Sequence, residues 1–228
     1  MRNRSVLLLV LSLPAVLAAC SPGEEPAATE GPPPGREGGP LARDGGEPPA
    51  GATGTIRGRF EGDGEAALYV RLRPVAVYVE KVEGKTFEPP AEEACLDQKD
   101  YEFVPRVLPI LVGTTVRFTN SDDVRHNVHD SGDPSRLDFS FRLGEVRTGI
   151  FEEPGVVTIR CRYHSQMVAY LVVVETPWFA TSDEEGAFEI DRVPPGNYRL
   201  TFWHEKIPAT SLPVHVEAGG TTEAIFRP

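Results

Sequence analysis

Alternation of apolar and polar residues sets in at Gly54 and continues in short runs toward the end of the chain. Thr55-Ile56-Arg57-Gly58-Arg59-Phe60 and Leu68-Tyr69-Val70-Arg71-Leu72 alternate with a period of two, and Val75, Val77 and Val79 continue on one face after Pro74. That period places every second side chain on the same face of an extended chain, so two or three strands are predicted here. Further strands are predicted within Glu102–Val112, punctuated by Pro105 and Pro109, and over Thr115–Asn120, Val156–Arg160 and Val168–Val174. Near the C-terminus, the turn Thr181-Ser182-Asp183-Glu184-Glu185-Gly186 leads into Ala187-Phe188-Glu189-Ile190. Val193-Pro194-Pro195-Gly196 then precedes a strand from Tyr198 to Trp203, with Tyr198, Leu200 and Phe202 on one face. No window holds a sustained helical period of apolar residues, and the expected fold class is all-β.

Before Gly54 the pattern differs. Met1-Arg2-Asn3-Arg4 precedes an apolar run from Val6 to Leu17, broken by Pro14 and ending in Leu17-Ala18-Ala19-Cys20. A membrane-spanning helix needs about 20 apolar residues. This run is shorter, follows arginines and ends in small residues, so residues 1–19 are expected to be a secretory signal. Its ending resembles the bacterial lipobox, which implies cleavage before Cys20 and a thioether-linked lipid on that residue. An ordinary secretory signal with an incidental cysteine is the alternative, and either takes the protein out of the cytoplasm. Residues 20–53 are expected to form a disordered tether. Ser21 to Thr53 holds 8 Pro and 8 Gly, with Leu41 its only large apolar side chain, too little apolar surface to offset the entropy of ordering. A flexible chain of that length spans on the order of 30 Å.

Charge narrows the partners. Removing Arg2 and Arg4 takes the chain from −11 to −13, which repels phosphate and argues against nucleic acid while favouring basic partner surfaces. With Cys20 lipidated, Cys95 and Cys161 remain, and in an oxidising compartment two cysteines can form a disulfide.

The other use for Cys161 is chemical. Arg160-Cys161-Arg162-Tyr163-His164-Ser165-Gln166-Met167 lies between two predicted strands, so a thiolate, an imidazole and a thioether share one short loop. These soft, polarizable donors suit copper cycling between Cu(I) and Cu(II). A second imidazole is available upstream at His126, just after the strand ending in Phe118-Thr119-Asn120.

Val116-Arg117-Phe118-Thr119-Asn120, then His126-Asn127-Val128, then Cys161-x2-His164-x2-Met167 resemble the cupredoxins, with a loop of the amicyanin length. The resemblance covers roughly residues 95 to 175. It implies a Greek-key β-sandwich holding one type 1 copper ion. His126 and His164 would be equatorial ligands, Cys161 the thiolate and Met167 the long axial ligand. Asn127 would link the two ligand loops and donate its backbone N–H to the sulfur. Arg162 and Tyr163 depart from the amicyanin pattern, which bears on the redox potential more than on the metal. Once Met1 is removed, Met167 is the sole methionine, and it falls at the axial position. A Cys95–Cys161 disulfide would leave His126, His164 and Met167 without a shared purpose. On the copper reading Cys95 is a buried free thiol.

The remaining candidates carry less. His129 lies three residues from His126, an odd offset that points it to the opposite face of an extended strand. His204 and His215 are expected to play ordinary polar roles, and Asp122, Asp123, Asp130 and Asp133 to form a solvated loop. Thr181 to Glu185, Gly186-Ala187-Phe188 and Val193-Pro194-Pro195-Gly196-Asn197-Tyr198 resemble carboxypeptidase regulatory-like domains, small transthyretin-like β-sandwiches. Gly54-Thr55-Ile56-Arg57-Gly58-Arg59-Phe60 fits their first strand. The expected organisation is therefore a second small sandwich split between residues 54–88 and 176–228, with the cupredoxin domain, 89–175, inserted.

Two His, one Cys and one Met leave no open position for a substrate, so a carrier rather than an enzyme is expected. A multicopper oxidase would need histidines beside Cys161, where Arg160 and Arg162 stand. The expected function is electron transfer in the cell envelope, on its periplasmic or extracellular face. The partner would be a redox protein such as a cytochrome or a terminal oxidoreductase, and the only membrane contact the lipid on Cys20. The alternative is a non-redox envelope scaffold or adhesion protein that uses the same sandwich.

Overall fold

The computed structural model describes residues 51–133 and 135–227. The expected signal 1–19, Cys20 and all but the last three residues of the tether 20–53 lie outside the described residues.

In chain order the elements are β1 Gly54–Phe60, α1 Gly64–Leu72, β2 Ala76–Val79, β3 Ala94–Lys99, β4 Glu102–Val104, β5 Val107–Leu111, β6 Thr115–Asn120, β7 His126–Asp130 and β8 Asp138–Phe141. Then follow β9 Val146–Ile150, β10 Gly155–Arg160, β11 Val168–Val174, β12 Phe179–Thr181, β13 Ala187–Val193, β14 Gly196–His204, β15 Ile207–Val216 and β16 Thr221–Phe226. Among the described residues the fold is all-β apart from one helix.

The strands separate by the core they fill. Sheets ordered β13-β1-β16 and β12-β2-β14-β15 face each other across Ile56, Phe60, Val77, Leu200, Phe202 and Phe226. β1 runs antiparallel to β13 and parallel to β16. Its Gly58 allows the close approach: a Cβ there would stand 2.0 Å from the carbonyl oxygen of Ala224 and 2.6 Å from the Phe188 ring. Sheets ordered β4-β3-β6-β9 and β5-β11-β10-β7-β8 enclose a second core of Leu96, Phe118, Val128, Phe141, Ile159 and Leu171.

β11 explains how the two sandwiches meet. Ala169, Leu171 and Val173 point into the second core, whereas Val172 and Val174, with Tyr170 packed alongside, join Ala76 and Val107 in a third cluster that also takes in Trp203 and Phe179. Both faces of the strand are covered, which is why its sequence is an unbroken apolar run rather than an alternation.

The strand expected over Leu68–Leu72 is instead the C-terminal half of α1. Ala66, Ala67 and Leu68 favour helix. Glu65 in the first turn and Arg71 in the last suit the helix dipole. Only Val70 is buried, with Ala66 and Tyr69 packed partly on the core. So narrow a contact face leaves Leu68 and Leu72 exposed, and their alternation with Val70 carries no strand.

Candidate metal centre

The last two residues of β10 pair with the end of β7, Arg160 opposite His129 and Ile159 opposite Asp130. β10 then continues antiparallel into β11 from Arg160↔Val168 onward. The loop 161–167 between them therefore closes at the end of the sandwich where β7 begins with His126. The register, not sequence proximity, brings the upstream histidine to the loop.

Three donor atoms converge there. Nδ1 of His126 and Nδ1 of His164 lie 3.0 Å apart. The Sγ of Cys161 lies 4.0 Å from the first and 3.6 Å from the second. The point equidistant from three atoms so spaced is about 2.1 Å from each, within the roughly 2.0–2.3 Å of metal–imidazole and metal–thiolate bonds. His126 is 0% exposed, Cys161 5% and Met167 1%, while His164 is half-buried. Cys161 is a free thiol, so the Cys95–Cys161 bridge is not formed. The loop is closed by its own backbone: the Met167 N–H donates to the His164 carbonyl at 3.1 Å, and the Cys161 N–H to the Met167 carbonyl at 3.3 Å. The Met167 side chain packs in the same buried cluster as Cys161.

Asn127 fastens the two segments. Its backbone N–H points at the Cys161 sulfur at 3.4 Å, and its amide donates to Asp138 at 2.9 Å and to the Phe139 carbonyl at 2.8 Å. His129 meets the Asn127 amide oxygen at 2.9 Å, which occupies it away from the three donors. Arg162 reaches Asp138 at 2.7 Å, so this departure from the amicyanin pattern ties the loop to β8.

Two contributors were not legible as such in the sequence. Asp122, expected in a solvated loop, places Oδ2 2.7 Å from Nε2 of His126 and accepts the backbone N–H groups of Asp100 at 2.7 Å and Tyr101 at 3.0 Å. Burial alone would raise its carboxyl, but the bonds from Tyr101, His126 and Asp100 outweigh it and hold the group below the usual range. A carboxylate at that position suits the tautomer with N–H at Nε2, in which Nδ1, the nitrogen turned toward Cys161, is bare. Asp130 is also buried, beside Arg136. Tyr101 lays its ring edge-on to both His126 and His164, with centroids 5.7 and 5.0 Å away. Asp100 and Tyr101 both hold left-handed backbone, φ +55° and +61°, a conformation that costs a non-glycine residue about 1–2 kcal/mol and that the Asp122 carboxylate anchors.

Residues 178–224 match a family model described as polysaccharide lyase family 4, domain II. No curated protein matches the chain. Among solved structures it is similar to a purple cupredoxin from Nitrosopumilus maritimus, at 27% identity and TM-score 0.31 over 36% of this chain and 99% of that one. It is similar to a reduced amicyanin variant at 21% identity and TM-score 0.33, over 42% and 98%. A copper-containing nitrite reductase from Thermus scotoductus SA-01 matches at 26% identity and TM-score 0.34, over 51% of this chain and 28% of that chain.

The other candidates lie elsewhere. Cys95 is buried on β3 but is not the free thiol expected of it: it is disulfide-bonded. His215 meets Asn197 at 2.8 Å. His204 is buried with its Nε2 unpartnered among the described residues, and burial lowers its pKa.

Proposed function

We propose that this chain is a type 1 copper electron carrier of the cell envelope, with one copper ion held by His126, Cys161, His164 and Met167. The observation that carries the reading is the convergence of two Nδ1 atoms and a free thiol around a point at metal-bond distance from all three. Copper bound there supplies a one-electron Cu(I)/Cu(II) couple.

The protein's own groups fit that role. The sulfur accepts the Asn127 N–H, Asp122 fixes the His126 ring, and the rigid strands β7, β10 and β11 hold the donors in place, which keeps rearrangement small when the charge changes. Four side-chain donors leave no site for a reactant, so we read the chain as a carrier rather than an enzyme. His164, half-buried beneath the exposed Tyr101, is the edge nearest a partner.

On this reading residues 89–175 form the cupredoxin domain, and 54–88 with 176–228 a transthyretin-like companion sandwich. A lipid on Cys20, which requires that sulfur to be free of any disulfide with Cys95, and the tether 20–53 would hold both at the periplasmic or extracellular face, within reach of a cytochrome or terminal oxidoreductase. Mass spectrometry of the mature N-terminus tests the anchor: a lipid adduct on Cys20 is expected, and a Cys20 peptide released by thiol reduction would overturn it.

The deciding experiment is addition of Cu(II) to the chain lacking residues 1–53. Strong blue or green thiolate-to-copper absorption, absent from Cys161→Ser, is expected. A colourless protein with Cys161 still reduced would favour the non-redox scaffold.

A further inference from the structure

Glu205 belongs to the companion sandwich, in the turn between β14 and β15, yet every polar contact it makes across the seam leads toward the metal loop. Its side chain is only 4% exposed. Its two oxygens take a bidentate pair from Arg106, at 2.7 Å to Nε and 2.8 Å to Nη2, and Oε2 accepts the Tyr170 hydroxyl at 2.9 Å. Arg73, just past α1, stands 3.8 Å away. The remaining Arg106 nitrogen, Nη1, donates to the Val168 carbonyl at 3.1 Å, and the Arg106 carbonyl accepts the Tyr170 N–H at 2.9 Å.

Val168 follows Met167 directly. Its carbonyl is the first acceptor of β11 beyond the loop, and its position sets where the chain leaves Met167. A guanidinium is a planar fork: two nitrogens fixed on a carboxylate leave the third little freedom. The orientation of Arg106 is therefore dictated by Glu205.

We infer that Glu205 is a positioning residue for the metal loop, acting from the neighbouring sandwich through Arg106 on the Val168 carbonyl and so on the backbone that carries Met167. The companion sandwich is on this account a working part of the site rather than only a mount. The inference rests on the copper reading for its spectroscopic consequence but not for its mechanical one.

The test uses the full chain with Glu205→Gln, Arg106→Lys and the mild Tyr170→Phe, and with Glu80→Gln as a control carboxylate of the companion sandwich, bonded to Thr201 and Ser211. Without metal, hydrogen exchange at the Met167 and Cys161 amides is expected to accelerate about tenfold in Glu205→Gln and Arg106→Lys and less in Tyr170→Phe, and to be unchanged in Glu80→Gln. With Cu(II), the first two variants are expected to shift the ratio of the thiolate-to-copper bands and the reduction potential. Loop exchange equal to the parent in folded Glu205→Gln and Arg106→Lys would overturn the inference. A colourless parent would overturn the copper reading and leave the exchange result to decide the coupling.

Discussion

Asp122 and His126 are joined at 2.7 Å through Oδ2 and Nε2, and the same carboxylate carries the two left-handed residues of the β3–β4 hairpin. One side chain thus fixes a candidate ligand and positions the tyrosine that covers it.

Asp122→Ala removes the acceptor that selects the His126 tautomer. Loss of such a support costs about 10–100-fold in metal affinity, so competition against a chelator is expected to show weaker copper binding by that factor. Asp122→Asn, which can still accept one bond, is expected to fall between. Equal affinity in all three proteins would show that the ring is held by packing alone.

Tyr101→Ala removes two edge-on aromatic contacts, each worth about 0.5–1.5 kcal/mol, and exposes the outer edge of His164. Extraction of copper by a chelator is expected to run roughly tenfold faster, with the visible spectrum little changed because the donor set is intact. A large spectral change would mean that the ring holds the ligands in place rather than merely covering them.

His204 gives a pH dependence in the companion sandwich. Burial lowers its pKa, opposed by Glu205 and the backbone of Tyr69 and reinforced by Arg106 and Lys206. A lowered pKa means that the unfolded chain binds the proton more readily. The stability from keeping the ring neutral is therefore complete above about pH 6.5, the ordinary histidine value, and is lost as pH falls below it toward the folded value. The melting temperature is expected to drop between pH 7.5 and 5.5, and by less in His204→Gln. Comparing the two slopes removes the contributions of the other histidines.

The strands legible in the sequence were those whose faces differ, such as β1, β6 and β14, or whose apolar run is unbroken, such as β11. β9 is exposed along almost its whole length and β15 carries Pro208 and Pro213, so neither shows the pattern that burial imposes. At the site, His126, Cys161 and His164 could be picked out because their residue types are diagnostic and the loop is short. Asp122 could not, because a carboxylate four residues before a histidine reads the same whether it faces water or the ring. Tyr101 and the pair Arg106–Glu205 escape for a different reason: they meet their partners through pairings 21 to 99 residues away, which only the register of the sheets reveals.

Met167 offers the sharpest separation of structure from chemistry. It is 1% exposed within the second core, so Met167→Ala leaves a cavity and is expected to cost about 2–5 kcal/mol of stability. Met167→Leu keeps most of the volume and is expected to cost under about 1.5 kcal/mol. Both remove the thioether, whose donation favours Cu(II) over Cu(I), and the axial ligand is one determinant of potential in such sites. Voltammetry is therefore expected to show a higher reduction potential in both variants, of similar size despite their unequal stability, with thiolate-to-copper absorption retained through Cys161. A potential in Met167→Leu equal to the parent's would reduce Met167 to a core residue and leave His126, Cys161 and His164 as the whole donor set.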